Sequence, residues 1–375
     1  MNAPWRPAGP KRPPESEIRV GRPKVALQNN RRPGRAVAAV SLEGIEMLRL
    51  AVPSDGALHE PSLLFLDSCG MGVSRTNLRR YTAEIPSLPG VAVHFQRGSD
   101  IAFKVEEGSA DIGVVGHDRF LETYTESGSA RIVVGKLGFG RSELVMGVPD
   151  SWVDVTSVAD LADLSIEFRE RGADLRVATK YPRLVAQFLM NSGVNYFSLV
   201  QSSGTLEAAP AMGYADIIAD ISSTGTTLRE NRLKTIDGGS VMASEACLIA
   251  NGAVIAADPG KLSLAQALVE RVEAHLQSRG VFSVTANMRG EDPDEIAACV
   301  LEHSDISGLR GPTISKVYSR DGEGWYAVTV IVEKAKLLDA VERFRQIGGS
   351  SVTVSQPDYV FQPKSDAAKR LTSTE

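Results

Sequence analysis

From Met47 onward the apolar residues fall into short runs of two kinds that alternate along the chain. Runs rich in Val, Ile and Leu, closed by Pro, Gly or Asp, read as buried strands; apolar residues recurring every third or fourth position read as helices. Leu48–Val52 (LRLAV) is the first strand, stopped by Pro53-Ser54-Asp55-Gly56. Glu60–Cys69 is helical, Val91–Gln96 (VAVHFQ) a strand, and Asp100–Glu107 a helix ended by Gly108. Ala110–Val115 (ADIGVV) is another buried strand, followed by Gly116-His117-Asp118. The alternation predicts α/β layers around a sheet that is largely parallel and covered on both faces.

Arg131–Gly140 and Glu143–Val148 continue in strands, and VTSVADLADL reads as a capped amphipathic helix. A second α/β unit begins at Leu175–Thr179 (LRVAT). It runs through a helix after Pro182, a strand at Phe197–Gln201 and a helix at Thr205–Met212. Further strands are expected at Ile217–Ala219, Leu233–Ile236 and Glu245–Asn251, and a long helix at Asp258–Arg279. Crossings near Val148 and Leu248 suggest two similar lobes with a cleft between them. The expected partition is 47–148 with 241–280 as the first lobe and 149–240 as the second.

Residues 281–362 follow a different order. Strand, helix, two strands, helix, strand is the ferredoxin-like pattern βαββαβ. The last residues, 363–375, read as a polar tail.

Charge separates residues 1–46 from the rest. They hold nine basic and four acidic residues, leaving 32 basic and 42 acidic in the remainder. The segment is also Pro-rich and aperiodic, and is expected to be disordered. A basic nucleic-acid arm would suit it only weakly, since aromatic interleaving is missing. Translation starting near Met47 would leave it dispensable, an expectation that loss of activity on its deletion would count against. No apolar run approaches the roughly 18 residues a membrane span needs, and no secretory signal is seen, so no membrane and a cytoplasmic location are expected. Cys69, Cys247 and Cys299 are far apart and the five His residues show no metal-ligand spacing, so the metal ligands are left unknown.

The stretch with the most chemistry is Tyr214–Arg229, YADIIADISSTGTTLR. An apolar strand flanked by Asp216 and Asp220 breaks into Ser222, Ser223, Thr224, Gly225, Thr226 and Thr227 before a helix. Such a bend suits a phosphate: helix-start N–H groups lack internal partners, the helix dipole is positive there, and the hydroxyls can donate. A carboxylate at the strand's carboxyl end suits ribose hydroxyls or a metal. An ordinary strand-to-helix turn with a Thr cap fits the composition equally well.

Taken together, the motifs resemble the long form of the ATP phosphoribosyltransferase family. The blocks that carry the likeness are LRLAVPSDGALHEP, FQRGSDIAFKVEEGSADIGVVGHD, LGFGRSEL, RVATKYPRLV, SSGTLEAAP, ADIIADISSTGTTL, GPTISKVY and WYAVTVIVEKAKLLDAVERFRQIGGSSVTV. The resemblance implies a two-lobed, periplasmic-binding-protein-like catalytic part with a ferredoxin-like regulatory domain. It implies transfer of the 5-phosphoribosyl group of phosphoribosyl diphosphate to N1 of ATP, releasing pyrophosphate, as the first step of histidine biosynthesis. It also implies Mg²⁺, feedback inhibition by histidine, and homo-oligomers from dimer to hexamer.

On that resemblance, Asp220 and Arg97 are the catalytic candidates. Asp216, Asp220 and Ser222 to Thr227 would hold phosphoribosyl diphosphate, and Arg97, Gly116, Asp118 and Glu207 would hold ATP. For Arg97 the structural alternative is an ion pair with Asp100 or Glu106; for Asp118 and Glu207 it is helix capping. The first loop, Pro53-Ser54-Asp55-Gly56, departs from the family pattern: it carries an acid where the family usually has a cation. An acid beside a diphosphate repels it unless a metal lies between or cations such as Arg75, Arg79, Arg80 or Lys180 reach in. That departure keeps open a non-catalytic, cytosolic small-molecule-binding paralogue as the alternative.

Overall fold

Three β-sheets organise the chain. The computed structural model describes residues 47–77, 79–201, 205–306, 308, 311–319 and 324–372, so the extension over 1–46 lies outside the described residues. In chain order come β1 (Leu48–Pro53), α1 (His59–Ser68), β2 (Thr82–Glu84), β3 (Val91–Gln96), α2 (Ile101–Glu106), β4 (Ile112–Gly116), α3 (His117–Thr123) and β5 (Ala130–Val134). Then come β6 (Ser142–Pro149), α4 (Val158–Glu170), β7 (Leu175–Thr179), α5 (Pro182–Asn191), β8 (Phe197–Gln201), β9 (Ile217–Ser222), α6 (Thr226–Glu230) and β10 (Leu233–Ser244). The chain returns through β11 (Ala246–Asn251), α7 (Gly252–Ala257) and α8 (Pro259–Ser278).

The first lobe is a six-stranded sheet in the order β2-β3-β1-β4-β11-β5, and the second a five-stranded sheet in the order β10-β6-β9-β7-β8. Each has three parallel strands at its heart, β3-β1-β4 and β8-β7-β9. Beside each trio lies one antiparallel strand that has just arrived from the other lobe: β11 against β4, and β6 against β9. The sheets are therefore mixed, not largely parallel. Short-range patterning cannot reveal this, because a strand buried on both faces reads the same in either direction. The chain crosses between the lobes before Ser142 and after Ser244, so β6 and β10 lie wholly in the second lobe. These points stand a few residues ahead of the crossings expected near Val148 and Leu248.

The local chemistry explains the elements. All five residues of β4 are buried, as a central strand covered by helices must be. α4 starts at a reciprocal box, with Ser157 accepting the Asp160 N–H while Asp160 accepts the Ser157 N–H. α5 and α8 each begin with Pro, which gives up no needed hydrogen bond in the first turn. Cys69 and Cys247 are packed into the first lobe, and burial pushes both thiols up to about 12. They act there as small apolar side chains.

The third sheet, in the order β13-β14-β12-β15, contains β12 (Val281–Arg289), β13 (Thr313–Tyr318), β14 (Gly324–Glu333) and β15 (Ser350–Ser355). Two helices, α9 (Pro293–Leu301) and α10 (Leu337–Gln346), complete a ferredoxin-like unit, and Ile296, Val300, Ala340 and Phe344 seal its core. The chain then runs back to the first lobe. Tyr359 packs over Gly70, and α11 (Asp366–Arg370) with its C-cap Leu371 inserts Ala367 and Leu371 into the first-lobe core. The expected polar tail is thus partly structural: two apolar residues among charged ones carry no periodic signal, and only the groove left by α8 and β5 gives them a burial site. No helix among the described residues is long and apolar enough to cross a membrane.

Candidate active site

β9 delivers the hydroxyl-rich bend. Ile217, Ile218 and Ala219 are fully buried, and polar residues begin where the strand emerges from under its helices. Asp220 is the first of them; its Oδ1 accepts the Ile221 N–H at 2.9 Å. Burial raises the Asp220 pKa, an effect only partly offset by that N–H and by the Lys180 charge, and the Glu207 carboxylate pushes the same way as burial.

In the bend, Ser222 Oγ accepts the Gly225 N–H at 2.9 Å, and the Thr224 and Thr226 hydroxyls meet at 2.9 Å. Gly225 sits at φ +70°, in the left-handed region, where a side chain is costly. The N–H groups of Ser223, Thr224 and Thr227 have no acceptor among the described residues. The following helix, α6, spans only five residues. Its dipole is correspondingly small, and any grip on a phosphate rests on N–H groups and hydroxyls.

A cavity of about 580 Å³ lies between the lobes. From the first lobe it is walled by Pro53, Asp55, Gly56, Arg97, Gly116 and Asp118, and from the second by Lys180, Tyr181, Asp220 and Ser223, among others. Candidates that are distant in sequence therefore converge. Ser54, Glu207 and, in the bend, Ser222, Thr224, Gly225, Thr226 and Thr227 lie outside the wall. Glu207 stands on a short 3₁₀ turn, Leu206–Ala208, where a longer helix was expected. Asp216 is not brought to the cleft at all. It lies at the opposite end of β9, its carboxylate bonded to Arg176 at 2.8 and 3.1 Å, and it faces a separate cavity. A strand's two flanking acids look alike in sequence, yet its ends are about 3.3 Å per residue apart.

Arg97, at the exit of β3, forms no ion pair among the described residues. Its alternative partners are absent: Glu106 instead accepts the N–H groups of Ser129 and Ala130, both at 2.8 Å. Lys180 is likewise without a carboxylate partner among the described residues. Cations thus face the cavity from both lobes. Of the other cations considered for the first loop, Arg75 stacks on Phe95 at 4.3 Å, outside this wall. Arg119, Arg141 and Tyr181 also line the cleft and were not singled out from the sequence. A usable signal existed for Arg119 and Tyr181, which come three and two residues after the carboxyl ends of β4 and β7, where open α/β sheets place ligands.

No group of three or more His, Cys, Asp or Glu among the described residues could hold a metal. Among the described residues there is no all-protein cage, so a divalent cation would need phosphate oxygens that a substrate brings.

The fold and the cleft define a class: two-lobed α/β proteins of the binding-protein type, here joined to a ferredoxin-like domain. A family model described as HisG, ATP phosphoribosyltransferase, matches residues 97–274, and one described as HisG, C-terminal domain, matches residues 279–356. ATP phosphoribosyltransferase 2, chloroplastic, of Arabidopsis thaliana is 40% identical over 344 residues, covering 90% of this chain and 83% of the relative. ATP phosphoribosyltransferase of Nitrobacter hamburgensis is 32% identical over 326 residues, covering 86% of this chain and 97% of the relative. Among solved structures, the ATP phosphoribosyl transferase (HisG:HisZ) complex from Thermotoga maritima aligns with a TM-score of 0.46 at 24% identity, over 60% of this chain and 99% of that one. The chain belongs to the ATP phosphoribosyltransferase family, transferases of the glycosyltransferase type.

Proposed function

We propose that the cleft moves the 5-phosphoribosyl group of phosphoribosyl diphosphate onto N1 of ATP, releasing pyrophosphate, as the first step of histidine biosynthesis. The observation that carries the reading is the convergence of Asp220 and Ser223 from one lobe with Arg97 from the other on a single cavity. In this reading Ser223 and its neighbours hold the 5′-phosphate and Asp220 the ribose hydroxyls. Arg97 holds the nucleotide. Both substrates are polyanions, so the unpaired cations lower the cost of bringing them together, and the lobes align N1 with C1. Positioning and fixed charge carry most of the acceleration, because positive charge develops on the ribose without a side chain acting as nucleophile. Mg²⁺ carried on the diphosphate of the substrate would supply neutralisation of the leaving group's charge.

Histidine feedback belongs to the same proposal. Supporting it, a cavity of about 710 Å³ beside the third sheet is lined by Ser283, Thr313, Thr329, Val360 and Phe361, among others. Its hydroxyls suit a small polar ligand. Incubation with ATP, phosphoribosyl diphosphate and Mg²⁺, with and without histidine, tests both parts. Pyrophosphate should form, and histidine should slow it. Absence of pyrophosphate above the background hydrolysis of phosphoribosyl diphosphate would sink the catalytic reading.

One observation favours a non-catalytic binder of the same fold: Asp55 stands in the cavity wall with no cation in its loop. Such a protein would bind phosphoribosyl diphosphate, measurable by calorimetry, and release no pyrophosphate.

A further inference from the structure

Asp118 stands in the first turn of α3 and lines the cleft, and both its carboxylate oxygens are engaged. Oδ2 accepts the Tyr181 hydroxyl at 2.6 Å, and Oδ1 accepts the Ser244 hydroxyl at 2.5 Å. Ser244 Oγ also accepts the Asp118 N–H at 3.1 Å. The three residues come from three parts of the frame: α3 in the first lobe, the entry to α5 in the second, and the last residue of β10 at the crossing. Their relative exposures are 7%, 2% and 6%, so water does not compete for these bonds. Burial, reinforced by the Asp118 charge, holds the Tyr181 phenol far above the ordinary tyrosine range, which keeps it a donor.

The surroundings reinforce the junction. The Arg119 guanidinium lies over the Tyr181 ring, 4.1 Å from its centre. The Glu122 carboxylate accepts the Arg183 and Leu184 N–H groups at 2.9 and 3.0 Å, so a first-lobe acid caps a second-lobe helix. A Cβ on Gly116 would run into the Asp118 carboxylate.

We propose that Asp118 is a positioning residue: it clasps Tyr181 and Ser244, fixing the angle between the lobes, and does not offer its carboxylate to the nucleotide. The angle matters because the two sets of substrate contacts stand on opposite lobes, Arg97 on one and the Asp220 bend on the other. A few degrees of opening carries N1 out of the roughly 3–3.5 Å range in which it can attack C1. The kinetic consequence rests on the phosphoribosyl-transfer reading; the clasp itself does not.

Tyr181→Phe keeps the ring under Arg119 and removes one bond, Ser244→Ala removes another, and Asp118→Ala removes both. Amide hydrogen exchange on the free protein needs no turnover. In Tyr181→Phe the N–H groups of α3 and of Arg183 and Leu184 should exchange about tenfold faster, with β9 unchanged. In turnover, Tyr181→Phe and Asp118→Ala should each lower kcat about tenfold with the KM for ATP within about twofold, and the double variant should be no worse than Asp118→Ala. If Asp118→Ala fails to fold, Ser244→Ala takes its place in the comparison. The clasp is overturned if exchange in Tyr181→Phe matches the wild type. It is equally overturned if Asp118→Ala raises the KM for ATP at constant kcat while Tyr181→Phe behaves as wild type, which makes Asp118 a nucleotide ligand. A wild-type protein that makes no pyrophosphate defeats the reaction proposed above and leaves the exchange comparison to decide the clasp.

Discussion

Gly225 offers a test whose magnitude follows from backbone geometry. Its φ is +70°, and a Cβ built there would find its nearest neighbour, Arg229 Nη1, at 3.7 Å. That is ordinary van der Waals contact, so Gly225→Ala adds no clash. The cost is conformational, about 1–2 kcal/mol for holding an L-residue in the left-handed region. If the bend must keep this shape to present its N–H groups to a phosphate, affinity for phosphoribosyl diphosphate should drop by roughly 5- to 30-fold. Titration calorimetry with phosphoribosyl diphosphate reads this directly, without relying on turnover. Asn tolerates the left-handed region far better than Ala, so Gly225→Asn should stay within about threefold of wild type. The ranking is the decisive feature. Unchanged binding in Gly225→Ala would show that the bend does not hold the ligand. An Asn variant as weak as the Ala variant would show that the cost comes from added bulk and not from φ.

Asp220→Asn should lower kcat/KM roughly 100-fold while stabilising the free protein near neutral pH. The folded-state pKa is raised, chiefly by burial, so the group's contribution to stability is present below the unfolded carboxyl pKa and is lost as pH rises through the folded value. Calorimetric Tm against pH checks the sign; a wild-type contribution that grew through that window would refute it. Leu371→Ala should destabilise the first lobe by about 2–5 kcal/mol in urea unfolding, because that fully buried side chain completes its core; a loss under about 0.5 kcal/mol would return the segment to the status of a tail. Asp55→Lys should speed pyrophosphate formation on the order of tenfold by supplying the missing cation. A slower enzyme with weaker Mg²⁺ dependence would instead make Asp55 a contact for the metal-bound diphosphate.

Much of the molecule was legible along the chain because its signals are local. Helix starts at Ser157, Pro182 and Pro259 and the runs that became β1, β4 and β7 carry their reasons within a few residues. The bend after β9 was equally plain, since glycine and hydroxyl side chains announce a turn that can donate hydrogen bonds. Long-range pairing left no such trace. The exchange of β6 and β11 between lobes and the burial of Leu371 depend on surfaces built by distant parts of the chain.

The candidate site divides along the same line. By itself, the sequence determined the order of strands and helices, the chemistry of the bend, and the acid in the first loop, because each is a property of neighbouring residues. Only the tertiary structure decided which acids face the cleft. Asp216 and Asp220 flank one strand, yet it sends them to opposite ends of the lobe, one to Arg176 and the other to the cleft. Asp118, 63 residues from Tyr181 and 126 from Ser244, meets both because crossing strands fold the lobes face to face. A carboxylate's partners are set by distance in space, which the spacing of residues along the chain does not encode.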